Sequence, residues 1–248
     1  MCRAALRFVR LCLCLAALPP LWALSAQAAR PTGPEWKAVL VAGDHAQPVF
    51  DNAVGAVARW LAQDGVPAAE VHRLSAAPPA RDASIEPASA RGVLQRIAGL
   101  RGEPGRRCLV FLTSHGRRDD GLWLAYRGEF LTPDELAQAL ALGCARVPTV
   151  AIVSSCFSGE FSRGAMQAPN RVVLTAARAD RPSFGCQADR DFTVFDECLL
   201  ATLPRVSTWA AAYRRNAACV RRREQMFGVL PSEPQAFFGA AVRRLSVR

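Results

Sequence analysis

Residues 107–116 read RCLVFLTSHG, and residues 148–159 read PTVAIVSSCFSG. Each stretch is an unbroken apolar run that ends in small polar residues. Each then presents one reactive group, His115 in the first and Cys156 in the second. Apolar runs without polar alternation belong to strands buried on both faces, as in a parallel sheet covered by helices. In such sheets, reactive and ligand-binding groups gather beyond the carboxyl ends of the strands. Neighbouring strands lie about 4.8 Å apart. If these two are neighbours, an imidazole and a thiol are carried on the same edge of the sheet.

Working outward, further runs of the same kind appear. Residues 37–42 (KAVLVA), 69–74 and 171–176 (RVVLTA) read as strands. Residues 50–62 carry Val54, Val57 and Leu61 at helical spacing, and residues 193–203 and 207–226 also read as helices. Ser89 is placed to cap a helix running to about residue 100. Thr132, Pro133 and Glu135 spell a capping box with proline at the first helical position. Residues 75–88 are rich in Ala, Pro, Ser and charge and read as a loop. Residues 121–126 resemble a hairpin arm, and residues 235–245 a last strand or helix. The helical stretches supply the crossovers that parallel neighbours require. The expected fold is a three-layer α/β domain over residues 36–248, with a mainly parallel central sheet flanked by helices.

The 248 residues are 51% hydrophobic and 21% charged, which excludes a long disordered chain. The net charge of +10 rests almost wholly on arginine, since Lys37 is the only lysine. So one-sided a choice reflects a GC-rich genome more simply than a nucleic-acid interface, and no nucleic-acid partner is expected. Residues 1–28 have the form of a signal peptide. Arg3, Arg7 and Arg10 precede an apolar stretch at 11–24, and Ala26-Gln27-Ala28 is a small-x-small cleavage site. Residues 29–35 follow as a linker. The apolar stretch falls short of the roughly 20 residues a spanning helix needs, and no second segment is long and apolar enough, so the expectation is export to a bacterial periplasm or medium with no membrane span after signal removal.

Export bears on the cysteines. Outside the leader stand Cys108, Cys144, Cys156, Cys186, Cys198 and Cys219, and none forms a CxxC pair. Neither a zinc site nor a thioredoxin-like motif is expected, and no metal or cofactor is called for. In an oxidising compartment Cys108 can bridge to Cys144, and Cys198 to Cys219; unpaired core thiols are the alternative. Cys186 is then left over. The arginines between 214 and 223 are most simply a solvated helical face.

A thiol is a strong nucleophile only as the thiolate, and a neighbouring imidazole can take its proton and later protonate a leaving group. The N–H groups of Gly116 and Cys156 are candidates for an oxyanion hole. Taken singly, Cys156 reads first as a buried thiol and His115 as a structural strand end. The ordered pair reverses that balance. With strand 39–43 as the opening element, His115-Gly116 and then Cys156 with Ser158-Gly159 behind it, the chain resembles the legumain-type cysteine peptidases, which share their fold with caspases. The resemblance runs over roughly residues 36–200.

The resemblance implies a caspase-like fold and a His115–Cys156 dyad that cleaves peptide bonds in a peptide or protein substrate. Membrane-bound transamidases belong to the same family, so acyl transfer to an amine is a neighbouring chemistry, and a non-enzymatic secreted binding protein with a decayed site is the alternative from another class. Relatives that cut after Asn or Asp carry a basic residue after the first strand and an acidic one two before the nucleophile. Here residues 47–52 read QPVFDN, and Ser154 holds the second place, so an Asn-specific pocket does not carry over. Asp51 and Asn52 are candidates to orient the histidine. Ser183, Asp189 and Asp191, in the segment after the fifth strand, are candidates for the substrate pocket, where an aspartate would suit a basic side chain. The oligomeric state is not legible.

Overall fold

The computed structural model describes residues 35–78 and 82–248; the leader expected at 1–28 lies outside them. The strands form where the apolar runs predict them. β1 (Glu35–Ala42), β4 (Arg106–Thr113), β8 (Thr149–Ser154) and β9 (Arg171–Thr175) make the centre of a seven-stranded sheet. β2 (Val71–Ser75) and β3 (Ile85–Pro87) extend it on one side, and β10 (Gln235–Phe238) closes the other. The order is β10-β9-β8-β4-β1-β2-β3. Every pairing is parallel except β10 with β9.

Alternate residues of each strand feed two cores. Leu40, Phe111, Ile152 and Leu174 face α1 (Val49–Gln63), α4 (Val194–Thr202) and α5 (Trp209–Phe227). Val41, Val110, Leu112 and Val153 face α2 (Ala90–Ala98) and α3 (Pro133–Gly143). The layers are therefore helix, sheet, helix, the α/β arrangement that continuous apolar strands require. The helix starts follow their side chains. Ser89 accepts from Gly92 N–H, the capping box of Thr132 and Glu135 is complete, and Thr193 and Thr208 cap α4 and α5.

Two local elements exceed the sequence reading. The loop expected at 75–88 holds β3, whose three residues pair with β2 at the sheet edge, where Pro87 removes no needed donor. The arm expected at 121–126 is one strand of a separate three-stranded sheet, β5 (Gly116–Arg117), β6 (Gly121–Leu124) and β7 (Glu129–Leu131). The disulfides Cys108–Cys144 and Cys198–Cys219 join partners with Cα atoms 6.2 and 5.7 Å apart. The first ties the start of β4 to the end of α3, away from the strand ends that carry His115 and Cys156. The second ties α4 to α5. Among the described residues Cys156 and Cys186 remain free thiols. No helix among them is long and apolar enough to cross a membrane.

Candidate active site

β4 and β8 are sheet neighbours in register, Thr113 opposite Ser154. The pairing runs one step further, where Ser114 N–H donates to Ser154 O at 3.1 Å. His115 and Cys156 therefore leave the sheet side by side, each two residues beyond a paired strand end. The loops touch. A Cβ built on Gly116 would sit 2.2 Å from the carbonyl oxygen of Cys156, so only glycine permits this approach.

Both reactive groups are half-buried. The His115 ring stands edge-on to Phe50 with centroids 5.2 Å apart, and its carbonyl accepts from Trp123 N–H at 3.0 Å, which pins the loop to β6. The Cys156 sulfur accepts the backbone N–H of Ser183 at 3.3 Å and lies 3.8 Å from the Ser183 hydroxyl. The thiol also donates to the Ser183 carbonyl oxygen at 3.5 Å, so the Ser183 backbone holds the sulfur from both its groups. Phe157 follows with φ +57°, a left-handed conformation that a bulky residue adopts only at a cost of about 1–3 kcal/mol. Its N–H donates to Arg181 O at 2.8 Å, holding the turn in place. Gly159 packs so closely on the 177–179 backbone that a Cβ would lie 2.5 Å from Ala179 N. Cys156 is thus presented on a strained, braced turn.

The remaining sequence-derived candidates divide. Ser183 is brought to the sulfur. Ser154 is only 2% exposed, and its hydroxyl lies 3.5 Å from that of Thr193. It belongs to the floor beneath the site, where burial keeps it from substrate. The helical rotation of α1 decides Asp51 and Asn52. Phe50 meets His115, while Asp51 turns toward Ser75 and Arg73, with its pKa raised chiefly by burial. The Asn52 side chain donates to Asp191 O at 3.1 Å. Asp51, Asn52 and Asp191 share a depression of about 390 Å³ with Arg59 and Arg73. Asp189 lines a separate one of about 330 Å³ with Phe184 and Phe227. The residue of the 47–52 segment that contacts the histidine is Phe50, not Asp51 or Asn52.

Of three further neighbours, sequence reading missed Asp44 and Asp196 and left Cys186 over without a role. Asp44, at the mouth of β1, is 7% exposed and accepts from Trp123 Nε1 at 3.1 Å and Ala46 N–H at 2.7 Å. Its place just past a strand end was the available signal. Cys186 lies within electrostatic reach of Cys156 and Asp44, and burial, followed by those two neighbours, pushes its thiol pKa up. Asp196 lies fully buried under the two strand ends. Among the described residues no group of three or more His, Cys, Asp or Glu side chains is placed to hold a metal ion.

The Peptidase C13 family model matches residues 99–227, just over half of the chain. The chain belongs to the peptidase C13 family. Membership makes it a cysteine peptidase, a hydrolase acting on peptide bonds of protein substrates. The span matched to the peptidase C13 family contains His115, Cys156 and Ser183, and begins after β1, α1, β2, β3 and α2. Asp44, Phe50, Asp51 and Asn52 therefore stand outside it. A search of curated proteins returns no match.

Proposed function

We propose that this peptidase is an exported endopeptidase working through a Cys156–His115 dyad. His115 takes the thiol proton, and the Cys156 thiolate attacks the scissile carbonyl carbon. The N–H groups of Gly116 and Cys156 receive the oxyanion, each such donor contributing about 3–4 kcal/mol to lowering the barrier. His115 then protonates the departing amine. Water, deprotonated by the same imidazole, hydrolyses the thioester and restores the free thiol. The observation that carries the reading is the register of β4 and β8, which delivers both groups to touching loops at one sheet edge.

Export is supported by the leader pattern of residues 1–28 and by two disulfides, which persist in oxidising compartments. Cys156→Ala and His115→Ala should each lower peptide hydrolysis by about a thousandfold or more while leaving the melting curve in place. Turnover like that of the unaltered protein in either variant refutes the dyad. Product analysis with an added amine distinguishes hydrolysis from transfer to the amine.

A further inference from the structure

Asp196 is fully buried at the third position of α4. Its Oδ2 accepts from the Thr113 hydroxyl at 2.8 Å. Its own N–H donates to Thr193 Oγ1 at 3.1 Å, and Thr193 Oγ1 lies 3.5 Å from Ser154 Oγ. Thr113 and Ser154 are register partners, the last residues of β4 and β8. Asp196 thus holds Thr113 through its carboxyl and reaches Ser154 through its backbone N–H and the Thr193 hydroxyl, spanning the two strands at the last point before the reactive loops diverge.

Stability does not explain an acid in this place. Burial pushes its pKa up to about 6, while the hydroxyls of Thr113, Ser154 and Thr193 pull the other way. Its second oxygen, Oδ1, has no hydrogen bond of ordinary geometry among the described residues. A buried acid that is incompletely partnered weakens a fold, and an apolar side chain of similar volume would not. Helix capping does not explain it either, because Thr193 caps α4 with its own hydroxyl and the Asp196 carboxyl bonds a strand residue instead.

The geometry points to Asp196 as a positioning residue, which ties the ends of β4 and β8 together and so sets the spacing at which His115 and Cys156 are presented. This rests on the dyad reading above. Asp196 touches no reacting atom; it acts through Thr113 and Ser154, each two residues from a reactive group.

The test compares Asp196→Ala, Asp196→Asn and Thr113→Val in the full chain. It measures kcat and KM on a peptide substrate, and the iodoacetamide alkylation rate of Cys156 read by mass spectrometry. Asp196→Ala should lower kcat about tenfold or more, since sub-ångström to ångström misplacement has effects of this size, with KM within about twofold. Alkylation of Cys156 should slow in step. Asp196→Asn still accepts the Thr113 hydroxyl and should restore both rates to within about threefold of the unaltered protein. If Asp196→Ala fails to fold, Thr113→Val, which removes the same hydrogen bond without changing shape, should show the fall in kcat. A folded Asp196→Ala with unaltered kcat and alkylation overturns the proposal. So does a rise in KM alone, an Asn variant no better than Ala, or unfolding of both the Ala and Val variants. Cys156→Ala run in parallel keeps the two readings apart: turnover there overturns the dyad, not the role of Asp196.

Discussion

Gly116→Ala is the sharpest perturbation of the geometry proposed for catalysis. The new methyl group would lie 2.2 Å from the Cys156 carbonyl oxygen and 2.9 Å from Ser155 Oγ. Ordinary contact needs about 3.4 Å, so the His115 and Cys156 loops must part by about 1.2 Å. The nearer obstacle is backbone of a braced turn, so it cannot swing aside as a long side chain would. A displacement near 1 Å at a reacting centre costs about a hundredfold in rate, or about 2.7 kcal/mol of barrier. The same shift would move the Gly116 N–H away from the position proposed for the oxyanion. The expected result is a fall of about a hundredfold in kcat on a fluorogenic peptide, with slower alkylation of Cys156. A thermal melt establishes that the protein stays folded. A folded Gly116→Ala variant with kcat within threefold of the unaltered protein would refute the claim that these loops must touch for catalysis.

Other expectations concern stability. Closing loops of 36 and 21 residues, the Cys108–Cys144 and Cys198–Cys219 bridges restrict the unfolded chain by about 4 and 3 kcal/mol respectively. Paired Cys→Ala replacements should lower the denaturant midpoint in that order, and equal midpoints with and without a bridge would rule out its contribution. Asp196 should make stability pH-dependent. Its native pKa of about 6 exceeds the ordinary 3.8, so the native state binds the proton more tightly than the unfolded chain does. Its contribution is complete below about pH 4 and is lost as the pH rises through 6, a change of about 3 kcal/mol. Asp196→Asn should therefore gain in Tm over the unaltered protein between pH 4 and pH 8, and a constant difference across that range contradicts a raised pKa.

Much of this architecture is legible because its strands are buried on both faces. Runs such as 107–113 and 148–154 carry no competing helical or alternating pattern, and β4 and β8 form within a residue of the expected limits. The caps at Ser89 and Thr132 act locally, over three residues, so spacing alone reveals them. β3 was hidden because three residues at a sheet edge gain their order from β2 rather than from their own pattern. Asp196 was hidden for a different reason. An acid three residues after a threonine is also what an ordinary helix start contains, and nothing local distinguishes one that turns toward a strand.

By itself the sequence determined the periodicities, and with them the three-layer α/β class, the His115 and Cys156 strand ends, and the cysteines available for pairing. Those follow from backbone geometry and burial, which act between near neighbours along the chain. The tertiary structure alone decided that β8 lies beside β4 in register, that Phe50 rather than Asp51 or Asn52 meets the histidine, and that Asp196 reaches Thr113 across 83 residues. Strand order and helix rotation are set by how whole faces pack. One residue's turn about a helix axis, about 100°, moves a side chain from the site into a neighbouring depression.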